Sequence, residues 1–247
     1  MKIALFIPCL VNQMMPDVGI ATLEVLEKLG HQVILPEGQT CCGQPMTNSG
    51  CFDEAKNTTL KLLNAFKHVE CDAIVCPAAS CLVAAKENFH KFDNSPSAQI
   101  VIDKLYELTE FLHDIAPIKQ FNHPVPSKVS LQMSCHGIRM LSLATPSESM
   151  GRQFNKVEAV LSAIDALEIV YPDPRDECCG FGGTFAVDEG AVSAKMGKDK
   201  AQAHAATGAE YVVGFDPSCL LHLDGMIRRQ QLPITTRHIA QILNSAL

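Results

Sequence analysis

The chain has 247 residues, of which 47% are hydrophobic and 19% are charged, and its formal net charge at pH 7 is -7. This length and balance are typical of a folded globular protein with a substantial core, and they argue against a disordered chain. Lysines and arginines are scattered over an acidic background rather than gathered in a stripe, so we expect no nucleic-acid partner.

An apolar stretch opens the chain between Ile3 and Val11. Because it contains Pro8 and Cys9 and is followed by no small-residue cleavage site, it predicts a buried strand and not a leader segment. Nowhere does the sequence approach the roughly 18 consecutive apolar residues that a membrane-spanning helix needs. We therefore expect a cytoplasmic protein with no direct membrane insertion.

The first predicted helix covers residues 17–29, with Asp17 as its cap and Gly30 at its end. Its predicted apolar face consists of Ile20, Leu23, Leu26 and Leu29. Similar helical patterns cover residues 53–66, 100–114, 155–167 and 190–206. Short apolar runs alternate with these helices, which predicts βαβ units and parallel sheets.

An internal repeat relates the two parts of the chain, with an offset of 126 to 138 residues. Residues 2–9 resemble residues 128–135, since each segment is a basic residue and a strand-like run that ends in cysteine. The Cys-Cys-Gly and Ser-Cys elements that follow recur in the same order, at 41–43 and 80–81 and then at 178–180 and 218–219.

The repeat predicts an α/β fold of two pseudo-repeated α/β domains, each with a mainly parallel sheet flanked by helices. A polar segment that contains Pro117, Pro124 and Pro126 lies between the repeats and marks their boundary. We place the first cysteine-rich domain at residues 1–122 and the second at residues 123–247.

The chain holds 11 cysteines, which is many for an intracellular protein. In a reducing compartment, clustered thiols are more often metal ligands or catalytic groups than disulfides. Ligand sites of parallel α/β units lie at the carboxyl ends of the strands, where one set of thiols from each repeat is expected to converge. The predicted metal ligands are Cys9, Cys41, Cys42 and Cys81 in the first repeat, and Cys135, Cys178, Cys179 and Cys219 in the second.

Four thiolates are a complete ligand set for either an iron–sulfur cluster or zinc. Adjacent cysteines seldom reach one tetrahedral ion without strain, whereas they can bind different iron atoms of a cluster, so the two Cys-Cys pairs favour a cluster. Gly43 and Gly180 would let the backbone turn where a side chain would collide with the cluster. Zinc remains the alternative cofactor.

The remaining cysteines and two histidines near the motifs are interpreted as structural. Cys51 and Cys71 have no counterpart in the other repeat and Cys76 matches a glycine there, so we predict that none of the three is a ligand. His136 and His222 lie close to ligand cysteines but also lack counterparts, and we expect satisfied or solvated side chains.

Longer strings around the cysteines resemble a known family. They are Pro36 to Pro45 with Asn48 to Gly50, Ser134 to Gly137, Cys178 to Phe185, and Asp216 to Cys219. Together they span nearly the whole chain. The resemblance is to tandem CCG-domain proteins such as the cysteine-rich component of heterodisulfide reductase and the iron–sulfur component of glycolate oxidase, and it is strongest to the lactate-utilisation protein A family.

This resemblance implies an electron-transfer subunit that works with two other subunits, at least one of them with iron–sulfur clusters, in the oxidation of L-lactate to pyruvate. Thiols committed to metal cannot act as free nucleophiles, so we predict no catalytic residue in this chain.

In the heterodisulfide reductase relative each motif ends in Cys-x-x-Cys, whereas Ala78 and Asp216 occupy the first of these cysteine positions here. The resemblance therefore implies a four-ligand 4Fe-4S cluster, up to one per half, rather than heterodisulfide chemistry. Two rival functions stay open: a zinc-binding structural or assembly module without redox activity, and a thiol-disulfide oxidoreductase.

Overall fold

A computed structural model describes residues 1–125 and 127–247, and Pro126, one of the predicted boundary prolines, lies outside the described residues. The strands of this part of the chain are β1 (Lys2–Leu5), β2 (Gln32–Ile34), β3 (Ala73–Cys76), β4 (Leu105–Glu107), β5 (Ser127–Gln132), β6 (Leu167–Val170), β7 (Tyr211–Gly214) and β8 (Thr235–His238).

Helices follow most of the strands, and one of them, α7, continues as a π-helical turn over Phe111–Ile115. The helices are α1 (Cys9–Met14), α2 (Pro16–Lys28), α3 (Gln44–Asn48), α4 (Phe52–Lys67), α5 (Ala79–Phe92), α6 (Pro96–Asp103), α7 (Leu108–Glu110), α8 (Cys135–Arg139), α9 (Lys156–Leu161), α10 (Phe185–Asp188), α11 (Gly190–Ala206), α12 (Pro217–Gln230) and α13 (Ile239–Ala246).

The strands form two four-stranded sheets of identical order, β2-β1-β3-β4 and β6-β5-β7-β8. Every neighbouring pair in these sheets is parallel. This confirms the predicted fold class of two repeated α/β units with parallel sheets flanked by helices. In each sheet the first strand lies between the second and the third, so the connections diverge there and leave a crevice at the carboxyl ends of the strands.

The largest hydrophobic cluster contains residues of both halves. Its fully buried members include Ile3 and Val25 from the first half together with Val129, Phe215 and Ile239 from the second. Helices α2 and α13 pack against each other across the halves. The domain boundary after residue 122 stays a prediction.

Several predicted elements are found where the sequence pattern placed them. The predicted helix 190–206 is α11, and the predicted helix 53–66 is α4 with one more residue at each end. The first helix begins one residue earlier than predicted, because Pro16 occupies its first turn, where proline is favoured.

In the predicted apolar face of α2, Leu26 is buried and Leu23 and Leu29 pack against the core, but Ile20 and the predicted cap were wrong. Ile20 is 56% exposed, and the buried face contains Val18, Val25 and Leu26. Asp17 lies in the first turn but is not the cap residue, which is Met15. The stripe that faces the core follows positions 18, 21, 22 and 25, as an amphipathic helix requires.

Three other predicted elements were too long. The apolar run at Ile3 to Val11 is a strand only to Leu5, and Cys9 already begins α1. Pairing with β3 converts residues 105–107 of the predicted helix 100–114 into strand β4. Helix α9 ends at Leu161, because the chain turns there to enter β6.

Within the described residues, no helix is both long enough and apolar enough to span a membrane.

Candidate metal centres

The first thiol group consists of Cys9, Cys41, Cys42 and Cys81, the four cysteines predicted for the first repeat. Their side chains lie close enough to perturb one another's ionisation in series: Cys9 with Cys41, Cys41 with Cys42, and Cys42 with Cys81. Cys42 is buried, whereas Cys9 is exposed at the edge of the group. Folding therefore brings together residues that lie up to 72 positions apart in the sequence.

The second thiol group consists of Cys135, Cys178, Cys179 and Cys219, and it repeats the same arrangement. Cys135 perturbs the ionisation of Cys178, Cys178 that of Cys179, and Cys179 is perturbed in turn by Cys219. Cys179 and Cys219 are buried, whereas Cys178 is exposed. The structure thus brings all four predicted cysteines together in each half.

Two cysteines of each group lie at helix N-termini rather than at the strand ends themselves. Cys9 and Cys135 are the first residues of α1 and α8, and Cys81 and Cys219 are the third residues of α5 and α12. The unpaired N–H groups and the positive dipole end of such a turn stabilise a thiolate. Each group therefore lies where anionic sulfur is favoured.

Each group also concentrates negative charge on one cysteine. Hydrogen bonds from Cys42 and then Cys9 lower the pKa of the Cys41 thiol to about 3. In the second group, hydrogen bonds from Cys135 and then from the adjacent cysteine lower the pKa of Cys178 to about 2. The same contacts raise the pKa values of the neighbouring thiols, so the four sulfurs of a group cannot all ionise without a compensating cation.

Backbone N–H groups supply further hydrogen bonds to sulfur. Gly180 N donates to Cys178 Sγ over 3.4 Å. In the first group the backbone of Gly43 likewise favours the ionised form of Cys41 and lowers its pKa. The backbone of Phe181 acts in the same direction on the pKa of Cys179, against the larger effects that raise it. Such donors stabilise sulfur ligands and tune the potential of iron–sulfur centres.

The conformation at Gly43 is required by its surroundings. Its φ is +90°, and a Cβ there would lie 2.5 Å from Thr59 Oγ1 and 3.0 Å from Asn88 Nδ2. These two side chains donate to the carbonyl oxygen of Cys42 over 3.2 and 2.9 Å. Because Gly43 has no side chain, Thr59 of α4 and Asn88 of α5 can approach closely and hydrogen bond to the backbone of the cysteine pair.

The second group has a corresponding support from helix α11. Gly180 has φ +88°, and a Cβ there would lie 2.7 Å from Met196 Cβ and 2.8 Å from the backbone oxygen of Ser193. Ser193 Oγ donates to the carbonyl oxygen of Gly180 over 2.7 Å. Helix α11 thus fixes the turn that carries Cys178.

Lys200 on α11 anchors the loop that leads into the second cysteine pair. Its side chain is fully buried, and Nζ donates to the carbonyl oxygens of Pro174 at 2.7 Å and Arg175 at 3.0 Å. Burial lowers the pKa of this lysine to about 8. Sequence reasoning missed Lys200, because nothing in its spacing distinguishes it from a solvated lysine on an amphipathic helix.

The donor set of each group fits a metal ion or cluster bound through thiolates. Four sulfurs lie together, helix N-termini and backbone N–H groups favour their ionised form, and glycine provides room beside the adjacent pair. Among residues 1–125 and 127–247, no three side chains of histidine, cysteine, aspartate or glutamate are arranged around a single metal position.

The three cysteines interpreted as structural lie outside these contact series. Cys51 is exposed and Cys71 is buried in the core of the first half. Cys76 is fully buried on β3, and its Sγ donates to the carbonyl oxygen of Ala78 over 3.5 Å.

The two histidines behave differently from one another. His222 contacts the backbone oxygen of Ser193 over 3.3 Å, as expected for a satisfied side chain. His136 Nδ1 instead lies 3.7 Å from Cys135 Sγ, and its Nε2 lies 3.3 Å from Gln44 Nε2 in the first half. His136 is therefore part of the surroundings of the second thiol group.

A cavity of about 150 Å³ opens beside the second thiol group and is lined by both halves. Gln44, Asn48 and Ser80 come from the first half, and Phe181 and Ser218 come from the second. Sequence spacing does not predict these cross-half neighbours, although Gln44 and Asn48 closely follow the first Cys-Cys-Gly and belong to the strings that carry the family resemblance.

Comparison with known proteins gives both sequence and structural relatives. The family model for the cysteine-rich domain CCG matches residues 3–86 and again residues 129–224. Three curated proteins named lactate utilization protein A match almost end to end. That of Exiguobacterium sp. is 35% identical over 100% of this chain and 98% of its own length. Those of Bacillus subtilis and Bacillus thuringiensis are 36% and 38% identical, with 99% of this chain and 100% and 99% of theirs covered.

A crystal structure of a hypothetical protein from Helicobacter pylori superimposes with a TM-score of 0.69 at 10% identity. It covers 99% of this chain, and this chain spans 48% of that longer one. At this identity the likeness shows the fold alone.

Proposed function

We propose that this chain, which belongs to the lactate utilization protein A family and carries two cysteine-rich domains, takes part in lactate utilisation as an iron–sulfur electron-transfer protein. The observation that carries the proposal is the pair of thiol groups, each with four cysteines close enough to shift one another's pKa, together with the hydrogen bond from Gly180 N to Cys178 Sγ. In this proposal the protein passes electrons during the oxidation of L-lactate to pyruvate.

The ligands in this proposal are the eight cysteines of the two thiol groups, with one 4Fe-4S cluster in each. A bound cluster would supply one-electron transfer at low potential. The adjacent cysteines support a cluster over a single zinc ion, because they can bind different iron atoms without bringing both sulfurs to one position.

The chain's own residues would stabilise the reduced, more negatively charged form of a bound cluster. Gly180 N donates to Cys178 Sγ, the backbone of Gly43 lowers the pKa of Cys41, and the first turns of α5 and α12 place positive dipole ends near Cys81 and Cys219. Both effects stabilise added negative charge, so both would raise the reduction potential of the site.

The proposed electron donor and acceptor are two other subunits of a lactate-utilisation system, at least one of which has iron–sulfur clusters. The name of the relatives supports a multicomponent system. All eleven cysteines, every one of them within the described ranges, are free thiols, which fits a reducing, cytoplasmic environment.

The test is anaerobic purification followed by iron, acid-labile sulfide and zinc analysis. Iron and sulfide in comparable amounts support the proposal. Zinc bound without labile sulfide would refute the electron-transfer function and favour a structural module.

Single substitutions test the ligand assignment. We expect Cys42→Ser and Cys179→Ser each to remove about half of the bound iron, since each breaks one of two separate ligand sets. Cys71→Ser is a matched control, because Cys71 is buried but lies outside both thiol groups, and Cys51→Ser is an exposed one. Equal iron content in all four variants would contradict the assignment.

A further inference from the structure

Asp216 is a buried carboxylate that caps two helices at once. It is 1% exposed and is the N-cap residue of α12. Its Oδ1 accepts hydrogen bonds from the backbone N of Ser218 at 3.1 Å and from Ser218 Oγ at 2.6 Å. Its Oδ2 accepts from the backbone N of Ser80 at 2.7 Å, and Ser80 is the second residue of α5 in the other half.

The first half offers no such cap of its own. The repeat aligns Ala78 with Asp216, and Ala78 is the N-cap residue of α5 with a similar extended backbone conformation. An alanine side chain cannot accept a hydrogen bond. The first turn of α5 therefore receives its side-chain cap from the second half of the molecule.

Both capped serines directly precede a cysteine of a thiol group. Ser80 is followed by Cys81 of the first group, and Ser218 is followed by Cys219 of the second. One carboxylate thus connects the two groups through two short hydrogen-bonded links, 2.7 Å and 3.1 Å long. The contact joins residues that are 136 positions apart in the sequence.

The chemistry of this position favours a carboxylate over an amide. Three N–H or O–H donors and two helix N-termini face the two oxygens, which offsets the cost of burying the charge. An asparagine has only one acceptor oxygen. Whichever way its amide is turned, an N–H of one helix would face an NH₂ group.

We propose that Asp216 is a positioning residue that fixes the first turns of α5 and α12, and with them Cys81 and Cys219, relative to one another across the two halves. This inference rests on the proposed function in treating both thiol groups as cofactor sites. Its consequence is that a change in the second half alters the first thiol group.

The first experiment uses metal-free, reduced protein and measures amide hydrogen exchange in the first turn of α5. We expect Asp216→Asn to accelerate exchange of the Ser80 amide by about 10- to 100-fold, because its charge-assisted hydrogen bond is lost. Ser95→Ala is the matched control. Ser95 caps α6 through Ala98 N at 3.3 Å, so its loss also removes a helix cap but should leave the Ser80 amide unchanged.

The second experiment uses loaded protein in a Cys179→Ser background, which leaves only the first group intact. Removal of the Asp216 charge should raise the reduction potential of the remaining site, because the reduced form carries the extra negative charge. Ser95→Ala should not shift it. A merely structural defect would lower cluster content without moving the potential of the sites that remain.

The outcomes separate the two proposals. If the parent protein binds no iron and sulfide, the proposed function fails, and amide exchange still decides the role of Asp216. If Asp216→Asn does not fold, the unmodified protein decides the matter, and its Ser80 amide must be well protected from exchange. Asp53 is the comparison, because it is also the second residue of its helix, α4, and the N-cap residue Cys51 makes no side-chain cap hydrogen bond there. The Asp53 amide must exchange rapidly. Unchanged Ser80 exchange in the variant, or rapid Ser80 exchange in the unmodified protein, overturns the inference.

Discussion

The substitution Gly180→Ala should destabilise the protein and empty the second thiol group. At φ +88° an alanine costs about 1–2 kcal/mol, because its Cβ approaches the following carbonyl oxygen. The added Cβ would also lie 2.8 Å from the backbone oxygen of Ser193 and 2.7 Å from Met196 Cβ, within helix α11. Since neither atom is the end of a flexible side chain, relief requires a backbone shift, which costs about 1–3 kcal/mol more.

Gly208→Ala is the matched control for the conformational contribution. Gly208 also has a positive φ, +69°, but among the described residues a Cβ there would meet nothing within 4 Å. Gly208→Ala should therefore lower the free energy of unfolding only by the conformational cost of a positive φ, about 1–2 kcal/mol. Gly43→Ala should fall between the two, because its nearest obstacle at 2.5 Å is the side-chain oxygen of Thr59 and can rotate away.

The assay is urea unfolding of the metal-free, reduced protein, followed by reconstitution with iron and sulfide. We expect the order of destabilisation Gly180→Ala, Gly43→Ala, Gly208→Ala, and loss of about half of the iron only in the first two. If Gly180→Ala and Gly208→Ala unfold within about 0.5 kcal/mol of each other, the proposed close packing of α11 against the Cys-Cys-Gly turn is wrong.

Two further predictions concern buried charged residues. Burial raises the pKa of Glu107 from 4.5 to about 8, so the folded state binds more protons than the unfolded state between these values. Stability should fall across that window as pH rises, by about 1.4 kcal/mol per pH unit at most, and Glu107→Gln should flatten this slope in urea midpoints at pH 5, 6.5 and 8. Parallel curves for the two proteins would contradict the assignment. Lys200→Met should release the carbonyl oxygens of residues 174 and 175, accelerate amide exchange at residues 173 and 175–177 by about tenfold or more, and reduce iron at the second group. Lys198→Met, at an exposed position of the same helix, should do neither, and equal effects of the two would refute the anchoring role.

Prediction from sequence succeeded where the signal is local or repeated. The Cys-Cys-Gly and Ser-Cys elements keep their order in both halves, and the alternation of strands and helices follows from short-range periodicity. It failed where long-range pairing overrides that periodicity. Residues 105–107 have a helical pattern but form β4, because parallel pairing with β3 satisfies their backbone groups. Ile20 fits an apolar helix face but is exposed, because the position of α2 against the sheet sets which stripe is buried.

The sequence by itself determined the composition of the two thiol groups, because a duplicated pattern of eight cysteines identifies its members wherever the chain carries them. Only the tertiary structure decided what surrounds them. The hydrogen bond from Ser80 to Asp216 and the contact between Gln44 and His136 join residues 136 and 92 positions apart. Such contacts depend on how the two sheets pack around their shared core, and packing at that distance leaves no periodicity or spacing in the sequence.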